Sequence, residues 1–131
     1  MSSARPLVQL ALDFIDHINR RDPAGLRQLM SDDHRLEVFD DDPLIGEEAN
    51  ASAWRGYFDG FPRYRIHPHR VAEHDGRVAI LGHTTGSHLG LPDDEESRLT
   101  LIWIADVAGG SVTRWRLIDD DEPNRRAFGL A

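Results

Sequence analysis

Cysteine is absent from the 131 residues. That excludes disulfides, thiolate nucleophiles and cysteine zinc sites, and it leaves the redox compartment open while fitting a cytosolic protein. Positive charge is also scarce: 15 basic residues stand against 23 acidic ones, for a net charge of −8. A field of that sign opposes polyanions, so no nucleic-acid partner is expected. Apolar runs of membrane-spanning length are missing, and the start MSSARPLVQLALDF lacks the continuous apolar core of a signal peptide. The chain reads as one cytoplasmic domain without a membrane partner, long enough to bury a single core.

What is present is patterned. Leu7, Leu10, Ala11, Phe14, Ile15 and Ile18 recur at helical spacing, which predicts an amphipathic helix over 6 to 21. Asp22 before Pro23 is a helix cap followed by a first-turn proline, and opens a second helix that buries Leu26, Leu29 and Met30. Alternation of His34, Leu36 and Val38 with charged neighbours predicts a half-buried strand. DDDPLIG reads as a charged turn. Gly46 with Glu47 and Glu48 then opens a third helix that Gly60 and Pro62 stop.

From Tyr64 onward the period falls to two, with strands expected from Tyr64 to Glu73, Arg77 to His88, Ser97 to Val107 and Val112 to Asp119. An acidic loop, GLPDDEE, separates the middle pair. Helices first and antiparallel strands after make the fold class α+β, and strands of this length require a twisted, curved sheet. The strand around Trp103 is apolar on both faces, since Ile102 and Ile104 oppose Leu99, Leu101 and Ala105. A homodimer through the sheet would cover the second face. The tail DDDEPNRRAFGLA is short enough to fold back or to fray.

Five of the ten aromatic residues, Trp54, Tyr57, Phe58, Phe61 and Tyr64, crowd into WRGYFDGFPRY at the junction of the third helix and the first long strand. Rings so dense fill a core or wall a pocket. Together with DPAGLRQLMSDDH and the closing strand WRLIDD, this element order resembles the nuclear transport factor 2-like superfamily. Within it, the chain is similar to the SnoaL-like polyketide cyclases and ketosteroid isomerases. The resemblance implies a cone-shaped barrel: three N-terminal helices packed on a curved, mostly antiparallel sheet, a cystatin-like roll, with a ligand cavity between.

The resemblance further implies acid-base chemistry without a cofactor on a small hydrophobic or carbonyl-bearing molecule. Non-catalytic ligand binding or dimerisation on the same fold is its alternative. Ketosteroid isomerases carry a tyrosine on the first helix, where this chain has Asp13, Asp16 and His17. SnoaL-type cyclases use an aspartate near the end of the last strand, and Asp119 is its counterpart here. Relatives often read FPDY where this chain has Arg63.

Three residues are candidates for proton transfer. His34 shares a face with Leu36 and Val38 and either moves a substrate proton or holds the first strand by a hydrogen bond. Asp40, two positions past Val38, either orients His34 or lies in a solvated turn. Asp119, in phase with Trp115 and Leu117, is either a carboxylate held against rings or the start of an acidic turn. Trp54, Tyr57, Phe58, Trp103 and Trp115 are the candidate walls, joined by His83 through its neighbours Ala79 and Leu81. Arg116 binds a ligand only if the sheet coils to bring it inward. His67 and His69 share a face but supply two ligands where a zinc site needs three, so no metal is expected.

Overall fold

The computed structural model describes residues 6–131. Along the chain come α1 (Leu7–Asn19), α2 (Pro23–Leu29), β1 (Met30–Val38), β2 (Leu44–Ile45), α3 (Glu47–Gly60), β3 (Arg65–His74), β4 (Arg77–Thr85), α4 (Asp93–Glu96), β5 (Leu101–Ala108), β6 (Ser111–Asp119) and α5 (Glu122–Ala127). The six strands form one sheet in the order β2-β1-β6-β5-β4-β3. Only β1 and β6 run parallel among these neighbours; the other pairs are antiparallel.

Of the three N-terminal helices, α2 has a side-chain cap at its start. Asp22 accepts the Gly25 N–H at 3.0 Å with Pro23 in the first turn of α2, satisfying a donor that the helix leaves unpaired. At the start of α3 the side-chain amide of Asn50 donates to the carbonyls of His34, Leu44 and Gly46 at 3.2, 3.0 and 2.8 Å. This one buried side chain fastens α3 to β1 and β2. The stripe of α1, including Leu10, Phe14 and Ile18, is buried against the sheet. Each such side chain contributes about 1.5–3 kcal/mol by leaving water.

Register shifts lie between Pro68 and Arg70, between Asp106 and Val107, and between Met30 and Arg35. Bulges of this kind bend a sheet, and the bent sheet with its helices makes the α+β cone that the family resemblance implies. Val78, Ile80, Trp103, Ala105 and Trp115 face the helices in the main core. Ala79, Leu81, Ile102 and Ile104 face outward in a second apolar cluster.

The elements that the sequence did not suggest are short. Leu44–Ile45 is a strand inside the supposed charged turn, pairing with Leu36 and Arg35. The chain leaves β4 at Thr85 instead of His88, and part of the acidic loop winds into α4. The tail neither frays nor remains coil: it forms α5 and folds over the outer face. There Leu130 is 1% exposed and packs with Phe128 on the second cluster. Arg125 grips the Asp120 carboxylate through two bonds of 2.6 and 2.8 Å, and Arg70 donates to the Leu130 carbonyl. The apolar outer face that suggested a dimer thus receives cover from its own chain.

Candidate functional site

Between the sheet and α3 lies a cavity of about 220 Å³. Its floor comes from β1 and β6, where register partners Leu36 and Trp115, and Val38 and Leu117, stand side by side. Trp103 of β5 continues the floor, while Ala53, Trp54 and Tyr57 of α3 form the wall with Tyr64 beyond. All three tryptophans of the chain therefore line one cavity. Among the described residues no Asp, Glu, Arg or Lys side chain lines it.

The polar end is made by Tyr57 and His88. Gly86, at φ +67°, turns the chain out of β4, a conformation that suits a residue without Cβ. The loop then carries His88 over α3. Nδ1 of His88 lies 2.9 Å from the Tyr57 hydroxyl, and the His88 backbone N–H donates to the same oxygen at 3.2 Å. Because the oxygen already accepts that N–H, the phenol proton is free to point at Nδ1 or at a ligand. Burial raises the pKa of Tyr57; the bond to His88 partly offsets this, and the charge of Glu96 adds to it. The phenol stays protonated at neutral pH and is a hydrogen-bond donor inside an apolar site.

The tyrosine is held by its neighbours. Tyr64 meets it edge-on at 4.8 Å and Phe61 packs at 4.8 Å. Trp54 stacks on Phe58 at 5.5 Å. Phe58 itself is buried behind this wall and does not line the cavity. Of the candidate walls, Trp54, Tyr57, Trp103 and Trp115 line the cavity.

The candidate proton-transfer groups lie elsewhere. His34 is inward but 0% exposed and is not part of the cavity lining. Its Nδ1 pairs with the Val112 carbonyl at 2.7 Å and its ring packs 5.7 Å from Phe14. Burial lowers its pKa, against the opposing effect of the Val112 bond, so it is a neutral strut joining β1 to β6. Asp40 is exposed in a turn, because Phe39 takes φ +50° and ends the strand alternation. Asp119 is exposed at the end of β6, where its carbonyl accepts from Asn124 at 2.9 Å.

Arg116 and His83 belong to the outer face. The Arg116 guanidinium lies 5.5 Å over the Phe128 ring and 3.9 Å from Asp106. His83 faces the same side as Ala79 and Leu81, which is the outside, and its ring stacks on His67 at 4.5 Å with 9° between planes. His69 joins them, Nε2 to the Nδ1 of His83 at 2.6 Å. Face-to-face rings do not aim their nitrogens at one point, and among the described residues no group of three or more His, Asp or Glu could hold a metal ion.

The family follows from sequence comparison. A model of the SnoaL-like domain matches residues 11–115. The chain belongs to the SnoaL-like family. Solved structures agree on the fold. An uncharacterised cystatin-fold protein from Novosphingobium aromaticivorans has a TM-score of 0.75 at 19% identity, over 87% of this chain and 98% of that one. A candidate SnoaL-like polyketide cyclase from Jannaschia sp. CCS1 has a TM-score of 0.69 at 20% identity, over 92% of both chains. An LEH-like epoxide hydrolase of M. tuberculosis has a TM-score of 0.67 at 15% identity, over 87% and 82%. Among curated proteins none matches by sequence. Within this SnoaL-like chain no described helix is long and apolar enough to cross a membrane.

His88 lines the cavity but is not among the candidates drawn from the sequence. Alternation extended through Thr85 into His88 puts it on a strand, and only the left-handed Gly86 reveals the turn.

Proposed function

We propose that this SnoaL-like domain binds a small, mostly apolar, carbonyl- or phenol-bearing molecule and transfers a proton next to its oxygen function. The observation that carries the reading is the Tyr57–His88 contact at the end of an aromatic cavity free of formal charge. With a carbonyl in place, the Tyr57 proton turns from Nδ1 to the carbonyl oxygen. That frees the Nδ1 lone pair to take a proton from the neighbouring carbon. The enolate charge is held by the phenol, and return of the proton to a different carbon, or to the same one, regenerates both groups.

The size of the cavity supports a ligand somewhat larger than benzene, which an apolar cavity of about 150 Å³ binds, and smaller than the drug-sized occupants of cavities above about 300 Å³. A bicyclic ketone such as α-tetralone is a suitable probe. Tryptophan fluorescence reports its binding directly, since every tryptophan is in the wall. Exchange of its α-hydrogens in D₂O, followed by NMR, reports proton transfer. Saturable quenching with exchange that drops roughly 10²–10⁴-fold in Tyr57→Phe and His88→Ala supports the proposal. Wild-type exchange no faster than buffer overturns the catalytic part, and quenching without exchange would favour the non-catalytic binding module.

A further inference from the structure

α4 carries four acids in a row, and three of them, Asp93, Asp94 and Glu95, are exposed. The fourth, Glu96, is 1% exposed. Its Oε2 accepts from the Thr84 hydroxyl and its Oε1 faces the Ser87 N–H at 3.4 Å. Among the described residues no Arg or His forms an ion pair with it. A carboxylate buried without a cation is costly, yet both of its oxygens accept here, which a glutamine with its single acceptor oxygen does not reproduce. The position therefore calls for a reason beyond packing.

Its place in the chain supplies one. Thr84 is the penultimate residue of β4, Ser87 follows Gly86 at the start of the loop and Glu96 ends α4 beyond it, so a single carboxylate joins both ends of the segment that holds His88. Ser87 is the immediate neighbour of His88, whose own N–H and imidazole both engage Tyr57. Gly86 is fixed from the other side: a Cβ there would stand 2.4 Å from the Arg63 carbonyl oxygen. A continuous series of contacts thus runs from Thr84 through Glu96 and Ser87 to His88 and Tyr57.

We infer that Glu96 is the positioning residue of the Tyr57–His88 pair, its carboxylate fixing the turn at Ser87 so that His88 stands over the Tyr57 hydroxyl. This rests on the reading of Tyr57 and His88 as the working pair. The charge has a second consequence, because Glu96 helps to raise the pKa of Tyr57. A neutral replacement therefore changes the titration of Tyr57 as well as the loop, which loss of packing alone would not do.

The test compares wild type with Glu96→Gln and Thr84→Val, the latter retaining the carboxylate while removing one donor. The chain has two tyrosines, so ¹³C-tyrosine NMR, assigned with Tyr57→Phe, resolves Tyr57 from Tyr64. In Glu96→Gln the Tyr57 signal should titrate at lower pH and its NOE to His88 should weaken. In Thr84→Val only the NOE should weaken. Exchange of α-tetralone should fall by up to roughly 10²-fold in kcat in both, the scale of a misplacement of about 1 Å, with KM little changed. An unaltered NOE and an unaltered Tyr57 titration in Glu96→Gln would overturn the assignment. If wild type shows no exchange but the NOE still depends on Glu96, the positioning role stands and the catalytic reading falls.

Discussion

The side-chain amide of Asn19, the last residue of α1, acts as a strand partner for Ile66: it donates to the Ile66 carbonyl at 3.0 Å and accepts the Ile66 N–H at 2.8 Å. β3 is an edge strand, and edges present unpaired backbone groups that need management. Here one asparagine satisfies two of them and ties the first helix to the strand beneath it. Asn19→Ala should cost about 1–2 kcal/mol, measured by urea unfolding, with tryptophan emission of the native state unchanged.

Replacing His34 separates structure from chemistry. His34→Leu removes the bond to Val112 and should lower stability by about 1–3 kcal/mol. Quenching by α-tetralone and its hydrogen exchange should persist in the folded fraction. Loss of exchange with intact binding would return His34 to the candidate bases.

The protein should become less stable in mild acid. Burial is the first cause lowering the pKa of His34, His67 and His83, and Arg65 acts next on His67 as His67 does on His83. Each is then protonated more readily unfolded than folded. Stability from these groups is complete above their ordinary pKa of about 6.5 and declines as the pH falls below it towards their lowered folded values. The melting temperature should drop between pH 7.5 and 5, and His83→Gln should reduce that drop.

Asp120 acts at the opposite end of the scale. Its bonds to Arg125, helped by Thr100, hold its pKa at about 2. Its contribution is present above the usual carboxylate value of about 3.9 and disappears as the pH falls through about 2. At neutral pH, Asp120→Asn should loosen α5 and uncover Ile102 and Ile104. Brighter fluorescence of a bound apolar dye and increased self-association by sedimentation are the expected signs.

Gly86→Ala tests the turn itself. The added methyl meets the Arg63 carbonyl in a left-handed backbone, so a cost of about 1–3 kcal/mol is expected. The Tyr57–His88 NOE should be lost with it.

The three N-terminal helices were legible because their signals are local: Asp22 with Pro23, the acids after Gly46, the stripe of α1. Trp54, Tyr57, Trp103 and Trp115 could be named as candidate walls only through the family resemblance, because a large inward ring fills a core as readily as it walls a cavity, and Phe58 does the former. His83 was misplaced for a physical reason. Alternation assigns residues to two faces, but on β4 and β5 both faces are apolar, so phase alone does not tell inside from outside. His34 had the correct phase, but phase does not give depth, and it lies in the packed core beside the cavity. The tail is polar in composition, and its role depends on two residues, Phe128 and Leu130, set against a distant sheet face.

The parallel pairing of β1 with β6 also governs when a binding site can exist. Its floor is assembled from Leu36 beside Trp115 and Val38 beside Leu117, segments from opposite ends of the chain. Hairpins such as β3–β4 can form from neighbouring residues, whereas this junction must first close a long loop. Ligand binding competence therefore arrives with the most non-local step of folding. A molecule held there would act as a native-state clasp, slowing the separation of the chain's first strand from its last.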